Sequence, residues 1–377
     1  MKKYLPVKLK LYILKIQFNL ESFLKFLIYS KNNNYKLDNV SKSFQKRLEF
    51  NEYDEELLKR ICNAYAKSKQ IQLASEKVFS PSNEWLPIYE NNLKEVILAL
   101  NSHDYKKLHH LYSNFYREDC SEGLVGSYNM KKRFLSKKIS FFNKLQWVNM
   151  WIHSYENWKA RQNYDISVND LISPNVGNPY GYFFDNQFIS CGLYQQFYAA
   201  QINKLLSKSE SKLILELGAG FGGMAYFVIR DVHQAAYIDL DLPENIALTS
   251  YYLSKAFPDK NIILFGECEN INNHLKPGNI LLMPSFVVKE LNSVSIDLIF
   301  NSYSLAEMSR ETIDFYILEF DRLLKQNKYF YHLNHNTRCV VKADDFGVNP
   351  DHFNLLYKIK GNWNINGDEF EYLYVKY

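Results

Sequence analysis

Hydrophobic positions follow two periods along the chain, and the change falls near residue 207. From 51 to 206 apolar residues recur three and four apart, which predicts helices over 53–69, 86–100, 105–116 and 131–162. Trp147, Trp151 and Trp158 stand at steps of four and seven in the last of these, the mark of one buried stripe. Between 163 and 185 the pattern fails, and Pro174, Gly177, Asn178, Pro179 and Gly181 predict a loop before a final helix over 189–206.

From 212 onward short apolar runs alternate with helical ones. Strands are expected over 212–217, 235–240, 261–265, 279–283, 296–301 and 328–333, and helices over 222–231, 243–256 and 312–324. The runs 353–358 and 370–375 have no helix between them and read as an antiparallel hairpin. The expected class is α/β: a parallel sheet with crossover helices and a C-terminal hairpin, preceded by an all-α region. Three parts follow: an arm over 1–50, a helical region over 51–206 with its loop at 163–185, and a sheet domain over 207–377.

Residues 1–30 have the apolar weight of a targeting segment without its layout. No apolar run is longer than 26–29, Lys15, Glu21 and Lys25 interrupt the rest, and no small-residue cleavage site follows. A spanning helix and a signal peptide are therefore not expected. What remains is a basic amphipathic helix, lying on an anionic membrane face or packed on its own domain or on the mate of a homo-oligomer.

Composition narrows the class. At 377 residues, 47% hydrophobic and 23% charged, the chain is neither disordered nor linker-dominated. Its five cysteines, Cys62, Cys120, Cys191, Cys268 and Cys339, are scattered, with no zinc spacing, which predicts free thiols and a cytoplasmic location. Residues 1–50 hold eleven Lys/Arg against Glu21, Asp38 and Glu49, a local charge of +8 that leaves −4 on the remainder. An acidic body argues against a nucleic-acid partner.

The strongest local signal is 213–223, LILELGAGFGG, an apolar strand opening through glycines into a helix whose free N–H groups face a ligand. Gly218, Gly220 and Gly223 satisfy G-x-G-x-x-G, so a dinucleotide is one reading. Glu216 favours another. An anion two residues before the first glycine suits the ammonium of an amino-acid-like ligand and repels pyrophosphate, and the chain beyond holds one sheet with no second large domain; both features favour S-adenosylmethionine. In 237–244, YIDLDLPE, Asp239 and Asp241 alternate onto one face at the end of the second strand, where a carboxylate grips a ribose diol. Asp241, next to the Leu-Pro that opens the helix, is the favoured one.

These runs, together with 297–308 (DLIFNSYSLAEM), 330–335 (FYHLNH) and 178–182 (NPYGY), resemble the sugar O-methyltransferase family within the class I S-adenosylmethionine-dependent superfamily. The likeness covers about 165–340, and its Asn-Ser-x-Ser-Leu-x-Glu-Met and Asn-His elements are more specific than the glycine loop. It implies a Rossmann-like sheet, a methyl donor held among Glu216, Gly218, Gly220, Gly222, Asp239, Asp241 and Asn301, and a sugar or glycan acceptor in surface-glycan or nucleotide-sugar biosynthesis.

A hydroxyl must lose its proton as it attacks a methyl group, so the chemistry asks for a base. Candidates at the ends of the later strands are His335, the first choice, His332, and Glu307. Either imidazole is otherwise a satisfied structural histidine, and Asn301 and Glu307 are otherwise strand-end and capping residues. Metal assistance is the rival mechanism, through Glu307, Asp344 and Asp345, but their spacing makes no ligand cluster and no metal site is expected. The segment 301–304, NSYS, lacks the paired prolines of nucleobase amine methylation. Two other functions fit the chain: a catalytically silent donor-binding scaffold of a glycan-assembly complex, and an RNA methyltransferase using the basic arm.

Overall fold

The computed structural model describes residues 7–126, 132–135, 139–162, 166–337, 339–365 and 367–377. Its first part is helical: α1 (Val7–Tyr29), α2 (Asp38–Ser43), α3 (Glu55–Ala74), α4 (Trp85–Asn91), α5 (Lys94–Ser102), α6 (Tyr105–Tyr112) and α7 (Phe141–Arg161). Side-chain caps start three of these: Asp54 accepts from Leu57 N, Asp104 from Lys107 N and Ser140 from Asn143 N. The single helix expected over 86–100 is two, because Asn91 turns its amide back to Pro87 O and ends α4 there. Trp147, Trp151 and Trp158 are buried along one stripe of α7. The stretch 131–140 expected to extend that helix lies partly outside the described residues.

A two-stranded hairpin, β1 (Tyr182–Phe184) and β2 (Gln187–Ile189), interrupts the region read as helix and loop. Its turn residues Asp185 and Asn186 sit at φ 47° and 66°, the left-handed pair that tight hairpins use. Gly192 then starts α8 (Leu193–Leu205). The arm packs on its own chain: α1 lies against α7, with Asn149 Nδ2 donating to Ser22 O at 2.8 Å and Tyr29 Oη 3.0 Å from His153 Nδ1.

The second part is the expected sheet. Its strands are β3 (Leu213–Leu217), β4 (Ala236–Asp241), β5 (Asn261–Leu264), β6 (Asn279–Pro284), β7 (Ile296–Ser302), β8 (Leu324–His335), β9 (Phe353–Lys360) and β10 (Glu369–Lys376), in the order β5-β6-β4-β3-β7-β8-β10-β9. All neighbours from β5 to β8 are parallel, and β10 joins β8 and β9 antiparallel. Helices α9 (Gly223–Asp231), α10 (Pro243–Ala256) and α11 (Arg310–Leu323) make crossovers. The fold class is therefore α/β, a Rossmann-like doubly wound sheet with a C-terminal antiparallel hairpin. One cluster of buried residues runs unbroken from Leu58 and Trp158 in the helical region to Tyr252 and Phe300, so helices and sheet share a core on that face. A second cluster, including Phe79, Leu215, Ile299 and Phe320, fills the other face. Strand order reverses between β3 and β7, and the crevice outside their carboxyl ends is where such sheets bind ligands. No described helix is long and apolar enough to cross a membrane.

Candidate active site

A cavity of about 530 Å³ lies at that crevice, bounded by 216–221 on the sheet side and by 77–85, Gly123 and Leu124 from the helical region. The loop after β3 bends at Gly218, φ 81°, where a Cβ would meet Ser304 Oγ at 2.4 Å, so any side chain there is both strained and blocked. Gly220 also borders the cavity. Gly222 does not: its open side faces Thr249 and Leu253 of α10, and its part is close helix packing rather than ligand contact.

Three carboxylates gather at the ends of β3 and β4. Glu216 and Asp239 are register partners across the two strands. Glu216 borders the cavity, accepts from the Tyr237 hydroxyl, and is pushed up to about 8 by burial. Asp241 also borders it; Oδ2 accepts from Gly220 N at 3.0 Å, and Oδ1 accepts from Leu242 N and from Asn245 Nδ2. Burial raises Asp241 to about 6. Asp239 stands one layer behind the cavity wall, fully buried, with Oδ1 accepting from Ala219 N at 3.3 Å and Oδ2 unpartnered; burial and the neighbouring Asp241 and Glu216 hold it well above the carboxylate range. Among the described residues no lysine or arginine lies within ion-pair distance of the three.

Asn301 lines no part of the cavity. Its Nδ2 donates to Leu217 O at 2.8 Å and to Ser304 Oγ at 2.6 Å, and its Oδ1 accepts from Asn334 Nδ2 at 2.9 Å. Asn334 Oδ1 in turn accepts from Ala306 N. The buried asparagine pair thus fixes the short turn Ser304–Glu307 after β7 and aims Glu307, which borders the cavity. Glu307 Oε2 accepts from Trp85 Nε1 at 3.1 Å, and burial pushes the carboxyl up to about 7.

Neither histidine reaches the cavity. His332 is fully buried between Tyr372 and Phe330, ring centroids 4.5 and 4.9 Å away, with Nδ1 3.3 Å from Asn334 Nδ2 and Nε2 unpartnered; burial lowers it to about 3. A base enclosed in this way has no path to a substrate. His335 turns the other way, its Nδ1 3.0 Å from Asp368 Oδ1, with the Tyr303 ring 5.0 Å away. Alternation along β8 separates the two imidazoles onto opposite faces, and of the three candidate bases only Glu307 borders the cavity.

Asp344 and Asp345 do not join Glu307. Asp344 is engaged by Lys358 at 2.5 Å and Tyr372 Oη at 2.6 Å, and neither aspartate borders the cavity. His335, Asp368 and Glu369 form a group whose ligand atoms fall within 4.8 Å, away from the cavity wall, with Glu369 Oε1 already accepting from Trp363 N and Asn364 N.

Tyr303 and Trp85 are among the cavity residues that local sequence patterns do not single out. Tyr303 borders the cavity at φ 65°, a rare conformation for an aromatic residue and typical of functional sites. The signal was its place inside 301–304. Trp85 arrives from 222 positions away, and only its setting after a turn-rich Ser-Pro-Ser-Asn run hinted at a wall residue.

No protein-family model matches the chain, and no curated protein does. Solved structures similar to part of it include phosphoethanolamine N-methyltransferase 1 of Haemonchus contortus in complex with phosphoethanolamine and S-adenosylhomocysteine, 14% identical, TM-score 0.31. The alignment covers 48% of this chain and 43% of that one, so the match spans less than half of either. Magnesium protoporphyrin IX methyltransferase from Synechocystis with bound S-adenosylmethionine is 13% identical over 49% of this chain and 80% of that one, TM-score 0.35. A methyltransferase from Aquifex aeolicus is 16% identical over 46% and 88%, TM-score 0.33. Likeness at this level adds nothing to the fold beyond what strand order and register establish.

Proposed function

We propose that the cavity binds S-adenosylmethionine and that the chain methylates a sugar hydroxyl. One observation carries the donor: Glu216, Asp239 and Asp241 are brought together at a glycine loop with no protein cation beside them. Clustered buried carboxylates call for a positively charged ligand, and they repel the pyrophosphate that the glycine spacing alone would allow. Glu216 faces the cavity where an ammonium would sit, and Asp241 Oδ2, with one N–H donor, keeps a lone pair for a ribose hydroxyl.

When bound, the donor supplies a methyl group whose bond to sulfur breaks as the bond to the acceptor oxygen forms, the electron pair staying on sulfur. Glu307 takes the hydroxyl proton. Trp85 holds its Oε2, leaving Oε1 as the proton acceptor, and a carboxyl raised to about 7 is basic enough to help at neutral pH while still partly ionised. The opposite wall favours a sugar over an apolar acceptor: Ser80, Ser82, Asn83 and Glu84 offer hydroxyl, amide and carboxyl groups beside the Trp85 ring, and Ser82 Oγ is buried without a partner.

Calorimetry on the full chain tests the donor, and radiolabelled methyl transfer to a panel of free and nucleotide-linked sugars tests the acceptor. Micromolar binding of S-adenosylmethionine and label in base-stable ether linkage on a sugar are expected. Binding of NADH instead would end the donor reading; donor binding with no transfer to any hydroxyl would leave the scaffold function in its place.

A further inference from the structure

The helix α1 carries apolar residues on both of its sides, where a helix that meets protein on one side and water on the other needs them on one. Its less exposed side holds Ser22, 5% exposed, and the half-buried Phe18, Asn19, Lys25, Phe26 and Tyr29. Its outer side carries Ile16, Leu20, Leu24, Leu27 and Ile28, each at least 50% exposed and Ile28 69% exposed. Steps of four, four and three set these residues in one stripe along the helix. A continuous apolar stripe of this kind marks an interaction surface, where single exposed leucines would not.

Charge selects the partner. Apart from Glu21, residues 1–37 contain no acid, and the arm reaches +8 by residue 50. Lys15 is exposed on α1, and Lys31, Lys36, Lys42 and Lys46 are exposed on the segment that follows it. A symmetric pair of copies would bring together two arms of the same positive net charge. An anionic bilayer accepts both features at once: the apolar side chains enter the headgroup boundary and the lysines meet the lipid charge. Because α1 is too interrupted by charge to span, it lies in the plane of the surface.

We propose that the outer face of α1 docks this protein on an anionic lipid bilayer. The inference stands apart from the donor site. The test is co-sedimentation of the full chain with phosphatidylcholine vesicles, with and without about a third phosphatidylglycerol. The wild type should pellet at least about tenfold more with the anionic vesicles, and less at high salt. L20D/L24D/L27D should lose that binding; since these side chains already face outward, its melting temperature should stay that of the wild type, which keeps the variant interpretable. Equal pelleting of variant and wild type, or no preference for anionic lipid, overturns the proposal. So does a wild-type dimer in light scattering that the variant disperses while neither binds vesicles, since the stripe is then covered by a second copy.

Discussion

The two ends of the same parallel sheet treat buried carboxylates in opposite ways. At the amino end Asp297 is buried and fully engaged: Lys325 Nζ lies 3.1 Å away, Lys328 Nζ 3.3 Å, and Leu213 N and Ser211 Oγ donate as well. At the carboxyl end Glu216, Asp239 and Asp241 share a small volume with hydrogen bonds but no cation. Glu244, three residues past Asp241, sharpens the contrast, because Lys69 Nζ at 2.7 Å and the hydroxyls of Tyr65 and Tyr89 satisfy it. Asp297 and Glu244 are thus buried acids that the chain itself supplies with cations. Glu216 and Asp239, which have no such cation among the described residues, are held toward their protonated forms by burial, and on the proposed reading a cationic ligand displaces those protons.

The largest effect expected at the carboxyl end is chemical. Glu307→Gln should lower turnover by about 10² to 10⁴ with donor affinity within about threefold, while His335→Ala should keep more than about a third of wild-type turnover. Wild-type turnover should rise with pH through about 7, since only the ionised Glu307 accepts a proton. A flat profile, or the reverse ranking of the two variants, would move the base to β8.

Next is the ribose acid. Asp241→Ala should weaken donor binding about tenfold or more, the weight of a charge-assisted bond of about 1.5 to 3 kcal/mol. Removing the cations at the other end should act on stability alone. Lys325→Met with Lys328→Met leaves Asp297 uncompensated and should cost about 2 kcal/mol, below the figure for fully buried pairs because both lysines reach solvent, with donor affinity unchanged. Loss of donor binding there would mean that the two ends are not separate.

The smallest effect has the opposite sign. Glu216→Gln should stabilise the ligand-free chain by about 1 to 2 kcal/mol near pH 8, read by chemical denaturation. A carboxyl raised to about 8 binds its proton in the folded chain and releases it in the unfolded one from about pH 4.5 upward, so ligand-free stability should fall as pH rises across that window. The glutamine variant should lack this slope.

Much of this was legible in order along the chain. The Glu216 loop, the acids at 239 and 241 and the strand succession are local patterns, and the sheet follows them. The β1–β2 hairpin was missed although Asp185-Asn186 between Phe183-Phe184 and Gln187-Phe188 is a turn signal, because three-residue strands give period-two alternation almost no length to register. The choice between Glu307 and the histidines was not legible. It depends on which face of β8 sets His332 beside Phe330 and against Tyr372 of β10, and on a turn aimed by Asn301 and Asn334, which lie 33 positions apart. Trp85 and the wall around it depend on long-range packing that no local period encodes.

The proposal that a cationic donor binds at the carboxyl-end acids is tested most directly by titrating S-adenosylmethionine into the full chain by calorimetry between about pH 6 and 9, in buffers of different ionisation enthalpy. A cation drawn to Glu216 and its neighbours must displace their protons. The account predicts proton release near neutral pH and an affinity that climbs with pH to about 8 and then levels. Affinity independent of pH with no proton released, or preferential binding of NADH, would contradict it.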